Sequence, residues 1–329
     1  MNYRRKRVLV TGGTGTIGPA LVRRLLEAGA SVTVASIDGP ERARAVLPAD
    51  ARYCLADLRD RDVCSQLVAG QDHVFHLMAV KGSTQLGVSR VASMYVPFIL
   101  CNTHMMEAAF RARVQRFLFV GSICQYPPLP VRHEDDAWKG PPAANDRFAG
   151  IAKLAGEAQA EAYLQEHGWD AVRVVRPANV YGPFDDFHPS SAHVIPALIR
   201  RVVSGEDPLR VAGDGTAERD FIYSEDVAEG MLLALERAPP CVPINLGSGI
   251  GTTVRELAAV IAEQAPHVPR IVFEPDRPTG DPKRVLDVQR ARELLGFEAS
   301  TPLREGIRKT FAWYEANREL AERRPPPVR

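Results

Sequence analysis

The stretch VLVTGGTGTIGPAL, residues 8–21, sets Gly12, Gly15 and Gly18 three residues apart between a β-rich run and a helical run. That context restricts the fold more than the glycine spacing alone. A strand feeding a G-x-x-G-x-x-G turn and then a helix needs backbone approaches that side chains forbid. It also aims free helix N–H groups at an anion above the turn. The pyrophosphate of a dinucleotide is the ligand such a turn accepts, with Gly12, Gly15, Thr16, Ile17 and Gly18 as the candidate cradle. A plain βα turn is the competing reading, and the position directly after the first strand argues against it.

The same alternation continues along the chain. KRVLVT (6–11), SVTVAS (31–36), RYCLA (52–56), DHVFHLM (72–78), RFLFVGS (116–122) and AVRVVRP (171–177) read as strands. Helical patterns cover IGPALVRRLLEAG, the region near 92–112 and residues 148–167. Near-continuous apolar strands separated by helices predict an α/β fold, a Rossmann-type doubly wound parallel sheet covered on both faces. After Pro177 the loop-like NVYGPFDDFHPSS begins a smaller, interleaved C-terminal substrate lobe. The expected division is 1–177, with a return near 218–243, for dinucleotide binding; 178–217 and 244–320 for the substrate lobe; and 321–329 as a tail.

Composition excludes several classes of function. The 41 basic and 40 acidic residues leave a net charge of +1, with no long-range pull on nucleic acid or anionic lipid. No apolar run approaches the roughly 18 residues of a membrane span. The basic start, MNYRRKR, runs straight into a strand, so no signal peptide is expected. The five cysteines form no C-x-x-C pair, which argues against a disulfide framework or zinc site and for a reducing cytoplasm. His73, His76 and His104 show no metal-ligand spacing, His188 reads as a loop residue, and no metal is expected.

The second strand ends at Ser36, and the loop IDGPERAR brings Arg42 and Arg44 close by. A small hydroxyl with an arginine suits a ribose 2′-phosphate and favours NADP. Asp38 argues the other way, for a free 2′-OH and NAD, and the arginines also read as a solvated face. Asp57 and Leu58 follow the third strand, where a carboxylate reaches the adenine edge or caps a helix.

Together with the glycine turn, the GS at 121–122, Lys153 and the segments RPANVYGP, RDFIYSEDV and NLGSG resemble the extended short-chain dehydrogenases/reductases. More narrowly they resemble the nucleotide-sugar epimerase/dehydratase branch, from residue 6 to about 315. FVGSICQYP (119–127) and NVYGPFDDFHPSSAHVIPALIRR (179–201) are similar to GDP-L-fucose synthases. Those enzymes epimerise C3 and C5 of GDP-4-keto-6-deoxymannose and reduce C4 with NADPH. The resemblance implies that Ser122 hydrogen-bonds the sugar C4 oxygen and that Lys153 holds the nicotinamide ribose and lowers the pKa of a tyrosine. It implies that Cys124 and His193 move protons at C3 and C5, and that Asn179 and Arg219 contact the nucleotide diphosphate. It further implies a homodimer through the helices near 92–112 and 148–167. Ile123 and Gln125 depart from the family pattern and point to a different sugar or final step.

The match fails at one place. In RFAGIAKLAGE (147–157) the residue four before Lys153, where the tyrosine would share its helix face, is Ala149. Phe148 is one position early and has no hydroxyl. General acid–base groups supply about 10²–10⁴-fold of rate, so the redox step should suffer while the fold does not. Three accounts are open: a laboratory Tyr→Ala replacement in an otherwise complete site; a natural site using Ser122, water, Tyr126 or Tyr181 as acid; and a protein that binds without turnover. The expected function is an NAD(P)-dependent nucleotide-sugar oxidoreductase or epimerase working through a C4 keto sugar. The alternatives are a 4-epimerase or 4,6-dehydratase, and an inactive NADP(H) and nucleotide-sugar binding protein.

Overall fold

Seven parallel strands build the main sheet. The computed structural model describes residues 3–79, 90–277 and 280–322. The first half runs β1 (Arg7–Thr11), α1 (Gly18–Glu27), β2 (Ser31–Ser36), α2 (Pro40–Val46), β3 (Arg52–Leu55), α3 (Arg61–Val68), β4 (His73–His76), α4 (Val91–Arg111) and β5 (Arg116–Val120). A two-residue β6 (Val131–Arg132), α5 (Arg147–His167) and β7 (Val172–Pro177) follow. With β8 (Asn179–Tyr181) the chain leaves the sheet, and after α6 (Val194–Val203), β9 (Leu209–Ala212), β10 (Glu218–Tyr223) and α7 (Ser224–Arg237) it returns in β11 (Pro243–Leu246).

The strand order is β11-β7-β5-β4-β1-β2-β3. Because the order reverses between β1 and β4, the connections diverge there and leave a crevice outside the carboxyl ends of the strands. Side chains alternate across each strand. Val8, Val10, Phe75, Leu118 and Val120 pack with Leu21, Leu25, Val227 and Met231 of α1 and α7. Leu9, Val74, Phe117, Phe119 and Val174 pack with Cys64, Met105 and Ala160 of α3, α4 and α5. Both faces are thus buried, which is why these strands read as unbroken apolar runs.

The remaining elements are β12 (Gly251–Thr253), α8 (Val254–Ala262), β13 (Ile271–Glu274), β14 (Lys283–Leu286), α9 (Gln289–Leu295), α10 (Leu303–Ala316) and α11 (Arg318–Glu322). A smaller sheet runs β12-β10-β14-β6 with β8 also on β10, and β13 pairs with β9. Its core joins Tyr181, Phe187, Ile199, Leu257, Ile307 and Phe311. The expected return segment, 218–243, is divided. β10 joins the smaller sheet, whereas α7 covers the main sheet and β11 pairs with β7 as far as Leu246. Residues 321 and 322, expected in the tail, close α11, and the rest of that tail lies outside the described residues.

Candidate active site

The site begins where β1 ends. Gly12 turns with φ +67°, and its N–H donates to the Ala35 carbonyl at 2.8 Å. A Cβ there would lie 3.1 Å from the Met78 backbone, and one on Gly18 would lie 1.9 Å from the Gly13 carbonyl oxygen. Helix α1 can therefore start hard against the turn, as only glycine permits. No side chain caps α1, and Pro19 occupies its first turn, so its leading N–H groups face the crevice. Thr16 Oγ1 donates to Asp185 Oδ1 at 2.9 Å and ties the turn to the loop after β8. These residues fit a dinucleotide pyrophosphate.

At the end of β2, Thr14 Oγ1 lies 2.8 Å from Ser36 Oγ and 2.6 Å from Asp38 Oδ2. Arg42 Nε stands 3.4 Å from the same Asp38 oxygen. Both residues that argue about the ribose are therefore present, and they are paired with each other. Asp57 is bonded to the Arg59 side chain, which holds its carboxyl below the usual range. The cap of α3 is Asp60, which accepts from the N–H groups of Asp62 and Val63. Leu58 is buried beside it.

On α5, Lys153 is 4% exposed and donates to the Met78 carbonyl at 3.0 Å. The Phe98 and Phe119 rings lie 5.1 and 5.3 Å from its nitrogen. Burial pulls its pKa down to about 7. One turn earlier, Ala149 presents only a methyl group to the cleft.

Ser122 follows β5 and opens a tight turn, Ile123–Gln125. Its Oγ accepts from the Cys124 N–H at 3.1 Å, and its own N–H donates to Gln125 Oε1 at 2.7 Å. Gln125 donates to Glu157 Oε1 at 2.7 Å, and Glu157 takes both Nε and Nη2 of Arg176. Burial opposes the charge on Arg176, but the Glu157 carboxylate outweighs it and raises its pKa. Gln125, flagged in the sequence beside Ile123 as bearing on the sugar, is instead fully buried in this network, whereas Ile123 lines the cleft; Glu157 and Arg176 were not among the sequence candidates. Glu157 had a signal, since it shares a helix face with Lys153 four residues before it. Arg176 had none.

Cys124 is half-buried. Burial and then Asp146 push its thiol up to about 11, against the pull of Arg284. His193 is exposed at the start of α6. Asn179 Nδ2 donates to the Asp220 carbonyl at 2.8 Å, and Arg219 Nη1 to the Glu218 carbonyl at 2.8 Å. The nearby acidic residues bond other groups: Asp220 bonds Ser248, Asp226 bonds Ser300 and Thr301, and Glu225 bonds Arg23.

The hydroxyls of two tyrosines named as substitutes for the missing acid are engaged with other groups, although Tyr181 also lines the cleft. Tyr126 is fully buried, donates to Asn245 Oδ1 at 2.5 Å and accepts from Arg176. Tyr181 directs its hydroxyl at the Leu303 carbonyl, 3.4 Å away, against Gly306. Burial raises both phenols above their ordinary value.

A single cleft of about 2080 Å³ is lined by Gly12, Gly15, Thr16, Ile17, Gly18, Ser36, Arg42, Asp57, Leu58, Ser122, Cys124, Ala149, Lys153, Asn179, His193 and Arg219, while the exposed Arg44 lies outside it. Pockets for one small ligand measure about 300–1,000 Å³, so this cleft has room for two nucleotide-sized molecules. No group of His, Cys, Asp and Glu able to hold a metal occurs among the described residues. No helix among them is long and apolar enough to cross a membrane.

Comparison with known proteins fits this geometry. A family model described as the NAD dependent epimerase/dehydratase family matches residues 8–247. The chain is 31% identical to the GDP-L-fucose synthase of Escherichia coli (strain K12), over 96% of this chain and 98% of the relative. It is 31% identical to the dTDP-4-dehydro-6-deoxy-D-allose reductase of Streptomyces bikiniensis, over 94% of this chain and 96% of the relative. Among solved structures it superimposes on UDP-glucose 4-epimerase from Thermotoga maritima with a TM-score of 0.84 and 29% identity, over 94% of this chain and 99% of that one.

Proposed function

The chain belongs to the NAD-dependent epimerase/dehydratase family, and from that premise we propose that it binds NADP(H), or NAD(H) in its place, and acts on a nucleotide-diphosphate sugar through a C4 ketone. The observation that carries this reading is the convergence of Ser122, Cys124, Lys153 and His193 on the cleft that holds the phosphate cradle. The narrowest form of the proposal is a GDP-4-keto-6-deoxyhexose 3,5-epimerase and 4-reductase, supported by the synthase relatives. The reductase relative supports C4 reduction on another nucleotide.

A bound nicotinamide would supply or accept the hydride at C4. The protein's own groups do the rest. Ser122 offers its hydroxyl to the C4 oxygen, and Lys153 holds the nicotinamide ribose. The ketone acidifies the neighbouring C–H groups, and Cys124 and His193 exchange protons there. Asn179 and Arg219 hold the diphosphate. With Ala149 in place of the tyrosine, that position offers no hydroxyl to give a proton to the C4 oxygen, so turnover is impaired.

The likeness to a UDP-glucose 4-epimerase favours a second reading, a 4-epimerase or 4,6-dehydratase with no net use of NADPH. Ala149 favours a third, a binding protein without turnover. The resemblance also supports a homodimer through α4 and α5 in the cytoplasm; sedimentation showing only monomer at micromolar concentration would remove the dimer.

The test compares this chain with Ala149→Tyr on a panel of GDP-, UDP-, CDP- and dTDP-sugars, including 4-keto-6-deoxy forms. Products are separated by chromatography while NADPH is followed by absorbance. Turnover raised by about 10² or more with tyrosine supports the enzyme reading, and the responding sugar identifies the substrate. Tight cofactor binding with no product from either chain supports the binding protein.

A further inference from the structure

Three segments far apart in sequence meet beside the Cys124 sulfur: the turn after β5, the residues entering α5, and β14. Arg284 Nη2 lies 4.0 Å from Cys124 Sγ and 2.6 Å from Asp146 Oδ2. Asp281 stands 4.0 Å from Arg284 Nε and 2.8 Å from Arg132 Nη2. Arg132 Nη1 in turn donates to the carbonyl of Ile123, next to Cys124, at 3.1 Å. Arg219 faces the same corner from β10, and Lys153 approaches from α5. Cys124, Asp146, Asp281, Arg219 and Arg284 all line the cleft. The sulfur is thus faced by Asp146 and by a set of cations, of which Arg284 makes the contact, while Asp281 sits behind them on Arg284 and Arg132.

We propose that Asp146 and Arg284 form a positioning couple for Cys124, in which Arg284 is the counter-cation of the thiolate and Asp146 restrains that cation and favours the protonated sulfur. The inference rests on the reading of Cys124 as an acid–base group. When the thiol gives its proton to the enolate carbon of a 4-keto sugar, the negative charge passes from the enolate to sulfur, beside Arg284. When the thiolate removes that proton, the charge returns to the enolate. Only a proton changes place, and nothing is oxidised. The directions of the thiol's titration agree: Asp146 raises it and Arg284 lowers it. The proximity arises from the packing of β14 against β6, which brings residue 284 beside a turn 160 positions earlier in the chain.

The experiment is the rate of Cys124 alkylation by iodoacetamide on the full chain without substrate, read on the Cys124 peptide by mass spectrometry across about pH 7–11. The peptide readout separates Cys124 from Cys54, Cys64, Cys101 and Cys241. Asp146→Asn is expected to shift the profile down by about one pH unit, roughly tenfold faster alkylation at a fixed pH. Arg284→Met is expected to slow it by a similar factor, and Arg284→Lys to restore most of the rate. Unchanged profiles in both Asp146→Asn and Arg284→Met overturn the couple. So do equal shifts in Asp146→Glu and Arg284→Lys, which keep the charges and report packing alone. A Cys124→Ser chain that converts a 4-keto sugar at undiminished rate overturns the acid–base reading instead, and the alkylation profiles still decide the couple.

Discussion

Glu157 follows Lys153 by one turn of α5, and the two side chains brace the cleft from one helix face. Lys153 reaches the Met78 carbonyl just beyond β4, while Glu157 reaches Gln125 under the Ser122 turn and Arg176 on β7. One helix therefore sets the spacing between Lys153, proposed to hold the nicotinamide ribose, and Ser122, proposed to hold the sugar oxygen.

Breaking the Glu157–Arg176 pair should be costly. Both side chains are buried, at 4% and 1% exposure, so Glu157→Leu leaves a guanidinium without its counter-charge. The expected loss is about 3–5 kcal/mol, and less for Glu157→Gln, which keeps the hydrogen-bond acceptor. Urea denaturation of the two variants gives the comparison. A loss below about 1 kcal/mol for Glu157→Leu would mean that solvent reaches the pair.

Lys153 should make stability depend on pH. Its folded pKa, about 7, lies below its unfolded value near 10.5 because burial disfavours the charge. The cost of burying the ammonium is full below about pH 7 and is relieved as pH rises toward the unfolded value, where the unfolded chain holds the extra proton. Lys153→Met carries no such cost. Its stability advantage over the parent chain should shrink by on the order of 1 kcal/mol per pH unit between about pH 7 and 10. Denaturation midpoints for both chains, measured without added nucleotide, test this; a difference that stays constant with pH contradicts it.

Cofactor choice should turn on Asp38 and Arg42. The two are paired, so a 2′-phosphate gains the arginine but meets the carboxylate. Asp38→Asn should tighten NADPH and weaken NADH, and Arg42→Ala should weaken NADPH the more, each by roughly tenfold or about 1.4 kcal/mol. Fluorescence titration of the two reduced cofactors reads the ratio directly. Equal effects on both would place the ribose elsewhere.

Tyr126 and Tyr181 should not act as the acid. Tyr181→Phe is expected to leave turnover within about twofold, whereas loss of a general acid costs about 10²–10⁴-fold. Tyr126→Phe should cost about 1–3 kcal/mol of stability, because Asn245 loses a donor and Arg176 an acceptor in a buried network. A hundredfold fall in the turnover of Tyr181→Phe would reverse this assignment.

The local pattern of the chain was enough to establish the strands, the glycine turn, the parallel sheet and the absent tyrosine at residue 149. Each depends on a short period or on a few neighbouring residues: alternation along β1, glycines three apart, and four residues between Ala149 and Lys153. The pairing of Arg284 with Asp146 beside Cys124 and the Gln125–Glu157–Arg176 network were decided by tertiary structure. So was the division of residues 218–246 between two sheets. A buried charge needs a partner wherever packing supplies one, and distance along the chain does not restrict which one that is. Glu157 lies between the two cases: its helix face could be read from its spacing to Lys153, but its partners became known only when β5 and β7 were seen side by side.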